Sequence, residues 1–149
     1  MRKSFFSMNK FWFYFLNLTW GLPLNIIGAC VALALLITGH KPKRFAYCVY
    51  FEVGDDWGGF ELGIFFVCAK SMPISLKCHE FGHAIQNCYF GPLMPFVVSI
   101  PSAIRYWYRE FKYYRQNKIP ATKYDDIWFE KQATELGFKQ VKKELHIYE

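Results

Sequence analysis

The stretch "KCHEFGHAIQ", residues 77–86, places two histidines and a glutamate between two of the most apolar parts of the chain. Residues four apart on a helix lie on one face, so His79 and His83 can both reach one zinc ion at about 2.0–2.1 Å. Glu80 is rotated away from that pair, where it can take a proton from zinc-bound water. The H-E-x-x-H spacing therefore predicts a zinc site with Glu80 as general base, and favours it over a helix with two merely hydrogen-bonded histidines.

A catalytic zinc ion needs a third protein ligand and an open fourth position for water. Glu130 is the first candidate, because the same helical face carries three small residues that would let the two helices approach closely, Ala133, Thr134 and Gly137. Asp126 is the second candidate; it shares that face one turn earlier and also suits a hydrogen bond to a ligand histidine. His146 is the third.

The elements around the motif predict an α+β fold, mainly α, in a single domain over residues 1–149. Two aromatic and β-branched stretches flank the turn cluster "GDDWGG" and predict a β-hairpin over residues 45–69. The motif helix and a second, apolar and basic helix are expected within residues 75–116, with a break at Gly91-Pro92. A last helix, over residues 123–143, carries Glu130.

Residues 11–39 contain no charged residue, and we expect them to form a membrane anchor. Residues 20–38 are close to the roughly 20 apolar residues that cross a bilayer, and lysines flank them on both sides. A cleaved signal peptide is the alternative, which is disfavoured because no A-x-A-like site follows Leu36. The net charge of +6 suits a chain near an anionic membrane surface.

A second uncharged run, residues 84–104, is followed by interleaved aromatic and basic residues at 105–118. Such a segment can bind single-stranded nucleic acid, but after an apolar run it is more typical of a membrane-interface belt. Glu130 and His79 must lie on one side of the membrane if they share an ion, so we do not expect residues 84–104 to form one complete crossing. The basic residues predict a site near the cytoplasmic face.

The cysteines are five in number, lie in apolar segments and include no C-x-x-C pair. An odd number of cysteines without such pairs is typical of buried, reduced thiols and not of a disulfide framework. Cys78 is adjacent to His79, and adjacent helical residues diverge by about 100°, so the two cannot face one ion.

Through these residues the chain resembles the gluzincins, zinc metallopeptidases with H-E-x-x-H and a downstream helix bearing E-x-x-A-[D]. The matching stretches are "HEFGH" at residues 79–83 and "EKQAT" at residues 130–134. The chain is similar in particular to small, membrane-associated bacterial proteins with the pattern HE[FY]GH…GP…P, through "GGFELG", "FGPLMPFVVSIPS" and "YDDIWFEKQATELG". The resemblance covers roughly residues 57–137.

The resemblance implies that the metal ligands are His79, His83 and Glu130, and that Glu80 is the base. Thr134 stands where membrane gluzincins usually have Asp, so Thr134 and Asp126 are the candidates for supporting a ligand histidine. The residues that could stabilise the transition state stay open among Tyr124, His146 and Tyr148. The chain differs from site-2 proteases, since no N-P or D-G motif follows on a later apolar helix.

The expected function is that of a membrane-bound zinc peptidase, placed by the resemblance in the bacterial inner membrane. Its substrate would be a peptide or protein paired main chain to main chain with an edge strand that runs from Phe60 to Cys68, and membrane lipid would be its other partner. The alternative is a non-catalytic membrane protein with a structural or vestigial metal site that acts as an interaction module. A third reading, nucleic-acid binding through residues 105–118, is not expected.

Overall fold

The structure is a computed structural model that describes residues 8–144. It confirms an α+β fold that is mainly α. The helices are α1 (Lys10–Leu18), α2 (Leu22–Ile37), α3 (Ile74–Phe90), α4 (Ile100–Lys112) and α5 (Trp128–Glu144). The strands are β1 (Lys43–Phe45), β2 (Cys48–Glu52), β3 (Gly59–Leu62) and β4 (Phe65–Cys68). A 3₁₀ turn (Gly91–Leu93) and a π-helical turn (Pro95–Ser99) connect α3 to α4.

The four strands form one mixed sheet in the order β1-β2-β4-β3, and the single hairpin predicted for residues 45–69 is wrong. Each expected strand folds back on itself, so β1 pairs antiparallel with β2 and β3 pairs antiparallel with β4. The second turn uses Gly63, whose φ of 74° is readily accessible only to glycine. The two hairpins then join through a parallel pairing of β2 with β4.

The sequence predicted one edge strand over residues 60–68, and this topology divides it into two strands. Within that segment only β3, Gly59–Leu62, lies at an edge of the sheet, whereas β4 is central between β2 and β3. The free edge of β3 lies beside α3, the helix that carries the histidine motif. The predicted pairing edge is therefore shortened to the four residues of β3.

The expected anchor over residues 11–39 is two helices, not one. Within residues 8–144, no single helix combines the length and the apolar composition needed to cross a bilayer; α1 and α2 meet both criteria only together, and they are bent by 91°. Buried amides hold this bend. The side chain of Asn25 donates to the carbonyls of Gly21 at 2.9 Å and Asn17 at 2.8 Å, and that of Asn87 donates to Asn17 Oδ1 at 2.7 Å.

The core is built around α3, which packs against α5, α1 and β3. Every side chain from Cys78 to Cys88 is buried. An aromatic cluster packs against α3. The ring of Phe13 lies against those of Phe81 and Tyr47, with centroids 5.6 and 5.3 Å apart. The motif helix is therefore an interior element whose position is fixed on several sides.

Candidate metal centre

The crossing of α3 and α5 brings the candidate ligands together. A Cβ atom added to Gly82 would lie 1.7 Å from the carbonyl oxygen of Ala133, and one added to Gly137 would lie 1.7 Å from that of Cys78. The two backbones thus touch at two glycines, one on each helix. The small residues around Glu130 predict such an approach, and the structure confirms it.

Three donor atoms converge at this crossing. Nε2 of His79 lies 3.0 Å from Oε2 of Glu130, Nε2 of His83 lies 3.2 Å from the same oxygen, and the two nitrogens are 3.1 Å apart. The residues are 7%, 6% and 0% exposed, respectively. Among the three sequence candidates for the third ligand, Glu130 is the one that the structure places here, while His146 lies outside the described residues.

The hydrogen bonds of His79 show which of its ring nitrogens carries the proton. Nδ1 lies 2.8 Å from Oγ1 of Thr134, and this hydroxyl donates its own proton to Oδ2 of Asp125 at 3.0 Å. The hydroxyl is therefore the acceptor for Nδ1–H, and Nε2 is the ring nitrogen that faces Glu130.

The ring of His83 is held in the same way by Gln86. Nδ1 of His83 lies 2.8 Å from Oε1 of Gln86. The amide nitrogen of Gln86 donates to the carbonyl of Phe129 and to Oε1 of Gln132, both at 2.9 Å, which directs the amide oxygen at the histidine. Nδ1 is again the donor, so Nε2 is again the ring nitrogen that faces the other two ligand candidates.

Two imidazole nitrogens and a carboxylate oxygen therefore face one point, where a metal ion can replace the protons that these atoms otherwise share. Ligands at about 2.0–2.1 Å from a tetrahedral ion are roughly 3.3–3.4 Å apart, close to the separations observed. Hydrogen bonds that orient the second ring nitrogen are the usual support of a metal-binding histidine. The group of His79, His83 and Glu130 could hold a metal ion.

The sequence suggested Asp126 as the acid that supports His79. In the structure that acid is Asp125, which acts through the hydroxyl of Thr134. Asp126 accepts a hydrogen bond from the backbone N–H of Lys123 at 2.7 Å and so closes the turn before α5. Asp125 reaches Thr134, which occupies its predicted place beside a ligand histidine. The helical periodicity that selected Asp126 fails because residues 124–126 form a separate 3₁₀ turn and do not belong to α5.

The second oxygen of Glu130 is bound by α4. The hydroxyl of Ser102 donates to Oε1 of Glu130, and the phenol of Tyr124 lies 3.4 Å from the same hydroxyl. Tyr124 also contacts the ring of His79, with centroids 6.3 Å apart. Of the three candidates for transition-state stabilisation, Tyr124 lies at the site, and His146 and Tyr148 lie outside the described residues.

Glu80, the predicted general base, is buried beside the two histidines. Its side chain is 4% exposed, and its Oε2 has no hydrogen-bond partner among the residues that the structure describes. Burial raises its pKa above the usual range for a carboxyl group. A Cβ atom added to Gly59 would lie 3.2 Å from Oε1 of Glu80, so the glutamate lies directly against the edge strand β3.

A cavity of about 1100 Å³ opens over these groups. His79, Glu80 and His83 line it together with the whole of β3, with α4 on the opposite side. Much of the remaining wall is apolar and includes Leu62, Met94, Val98 and Phe138. Two further acids line this space, Asp125 and Glu61 of β3, and burial raises the pKa of Glu61 to about 8.

Sequence reasoning missed Gln86, Asp125 and Ser102. Gln86 follows His83 by three residues and so shares its helical face, a signal that could have identified it. Asp125 and Ser102 reach the site from a turn and from another helix, and no local pattern indicates either residue. In the comparisons with known proteins, the chain matches no protein-family model, no curated protein and no solved structure.

Proposed function

We propose that this chain is a zinc metallopeptidase of the gluzincin type, which hydrolyses peptide bonds. One observation carries the proposal: three candidate ligand atoms lie 3.0–3.2 Å apart, near the buried Glu80, whose Oε2 has no partner among the described residues. A purely structural metal site has all its positions closed by protein ligands. Three protein donors would leave one position of a tetrahedral ion for water.

The chain's own residues divide the reaction between them. Zinc held by the three ligands would supply an activated water and polarise the scissile carbonyl. Glu80 takes the proton of the attacking water at Oε2, which is free to accept it, and later gives that proton to the leaving amine. Tyr124 lines the cavity beside His79, and its phenol would donate a hydrogen bond to the oxygen on which negative charge develops.

The edge strand β3 would bind the substrate. A peptide in extended conformation can add to the free edge of a sheet through main-chain hydrogen bonds. The edge lies against Glu80 through Gly59, where a larger residue would press on the carboxylate. The apolar cavity wall would receive apolar side chains of the peptide on either side of the scissile bond.

The exchange of Glu80 for glutamine tests the proposal. We expect Glu80→Gln to keep one zinc per chain and to lose at least 10²-fold in turnover of a fluorescence-quenched peptide library, because the amide cannot accept the proton. His79→Ala should lose the zinc as well. Glu135→Gln, an exposed position on α5, is the matched control and should behave as wild type.

Two results would contradict the proposal. Folded wild-type protein with much less than one zinc per chain would remove the metal centre. Zinc bound equally by wild type and Glu80→Gln, with neither protein cleaving any member of the library, would instead assign the group a structural role. The metal is measured by mass spectrometry on detergent-purified protein.

A further inference from the structure

We propose that the outward faces of α1, α2 and residues 93–104 form one surface that docks on an anionic lipid bilayer, with α2 lying along the bilayer. We call it the apolar docking surface. Its centre is α2, which turns a stripe of four residues inward: Leu24, Asn25, Gly28 and Ala32. The opposite side exposes six large apolar side chains, each 41–77% accessible: Leu22, Ile26, Ile27, Leu33, Leu36 and Ile37.

The neighbouring elements extend this surface. α1 exposes Phe11, Trp12, Phe15 and Leu18, each 47–66% accessible. The segment that enters α4 exposes Leu93, Phe96, Ile100 and Ile104, each 49–71% accessible. The segment is attached to α2, since Leu24 packs in one cluster with Met94 and Val98. Contiguous apolar surface on this scale marks an interaction site.

The distribution of charge favours lipid over a second copy of the chain. Residues 1–51 contain six basic residues and no acidic one, and residues 81–109 contain two basic residues and no acidic one. Exposed lysines lie at both ends of the α1–α2 pair, at Lys10 and at Lys41 and Lys43. A second copy would bring the same acid-free segments to the contact, whereas an anionic lipid surface supplies the opposite charge.

The length and packing of α2 determine how it would lie. Its 16 residues extend about 24 Å, short of the roughly 30 Å of a bilayer's hydrocarbon layer. At its N-terminal end it turns by 91° into α1. Gly28 packs so closely on the β3–β4 turn that an added Cβ would collide with the carbonyl of Leu62. α2 is thus attached lengthwise to the sheet, with only its outer side available to lipid.

Cys30 offers a direct test, because it is the one exposed cysteine among five and lies near the middle of α2. The native protein is labelled there with an environment-sensitive NBD maleimide. It is then mixed with vesicles of phosphatidylcholine alone or of 3:1 phosphatidylcholine to phosphatidylglycerol. We expect flotation and a blue shift of NBD emission, both stronger with phosphatidylglycerol. Lipids with spin labels near the headgroup should quench the dye more than lipids labelled near the chain end.

Charge placed on the surface supplies the matched comparison. Ile26→Glu combined with Leu33→Glu should abolish flotation, whereas Ile119→Glu, at a 93% exposed position outside the surface, should not. Protection of the four buried cysteines from the maleimide reports that each variant is folded.

Three outcomes would overturn the proposal. The first is absence of flotation with either vesicle, and the second is stronger quenching by the chain-end label, which indicates a membrane crossing. The third is a blue shift without vesicles that grows with protein concentration, which indicates that a second copy covers the surface. None of these readouts depends on peptidase activity.

Discussion

Replacement of Gly82 by alanine tests the close crossing of α3 and α5, on which the metal centre depends. In a helix without neighbours this exchange stabilises, because alanine is favoured over glycine by about 1 kcal/mol. At the crossing, the new Cβ would lie 1.7 Å from the carbonyl oxygen of Ala133. The sign of the effect therefore distinguishes a close crossing from a loose one.

The size of the stability loss depends on what the new Cβ would meet, which is the backbone of Ala133 and not a flexible side chain. Cβ atoms essentially never approach another heavy atom closer than 3.0 Å, so α5 must move away from α3 by at least about 1.3 Å. Overpacking of this kind costs about 1–3 kcal/mol or more. Metal–ligand distances tolerate only about 0.2 Å, so the same displacement separates Glu130 from the two histidines. We expect Gly82→Ala to lower the free energy of unfolding by about 2 kcal/mol and zinc affinity by more than tenfold.

The measurement is chemical denaturation of the detergent-purified protein together with competitive zinc titration against a fluorescent chelator. Lys131→Ala, an exposed position on α5, is the control and should change the unfolding free energy by no more than about 0.5 kcal/mol. Gly137→Ala approaches the same crossing from α5 and should repeat the loss. Unchanged or increased stability of Gly82→Ala with full zinc binding would refute the close crossing and, with it, the placement of Glu130.

Three further predictions concern the surroundings of the site. Asp125→Asn should weaken zinc binding about 10–100-fold by loosening the support of His79, whereas Asp126→Asn should leave zinc affinity unchanged, as measured by the same titration. Ser102→Ala should weaken zinc binding about tenfold, because Glu130 loses a hydrogen bond; Ser99→Ala, one turn earlier, should not, since the Ser99 hydroxyl has no partner among the described residues. N-ethylmaleimide should modify Cys30 alone in the folded protein and all five cysteines after unfolding, as counted by mass spectrometry. The other four thiols are buried, and burial raises the pKa of Cys68 to about 11 and of Cys88 to about 12.

The ligand group was predictable because its two halves are local patterns. His79 and His83 are separated by one helical turn, and Glu130 shares a face with Ala133 and Gly137, so each half can be derived from helical periodicity alone. The contact between the halves follows from the size of their residues. A helix face that carries glycine and alanine around one acid allows the backbone of another helix to approach closely.

The sheet and the bend were not predictable in the same way. Residues 60–68 have the composition of one strand, and a single glycine, Gly63, converts them into two. The apolar run of residues 20–38 has the composition of a membrane span, but hydropathy does not record where Asn17, Asn25 and Asn87 meet. The first error is local, since a glycine inside a strand-like run can mark a turn. The second error arises because a deciding contact, that of Asn87 with Asn17, joins residues distant in sequence. The same reason explains why Asp125 and Ser102 were missed.

The charges of the cavity assign roles to its acids independently of the motif. Glu61, Glu80 and Glu130 are each 7% exposed or less, and three ionised carboxylates in so small a buried space would strongly destabilise the fold. Burial raises the pKa of Glu61 and of Glu80, so each is suited to hold a proton. Burial acts in the same direction on Glu130, but the hydrogen bonds with His79 and His83 outweigh it and hold the pKa of Glu130 below its usual range. Glu130 is therefore the acid that stays ionised, which suits its proposed role as a metal ligand. Glu80 is the neighbouring acid that can hold a proton, which suits its proposed role as the general base.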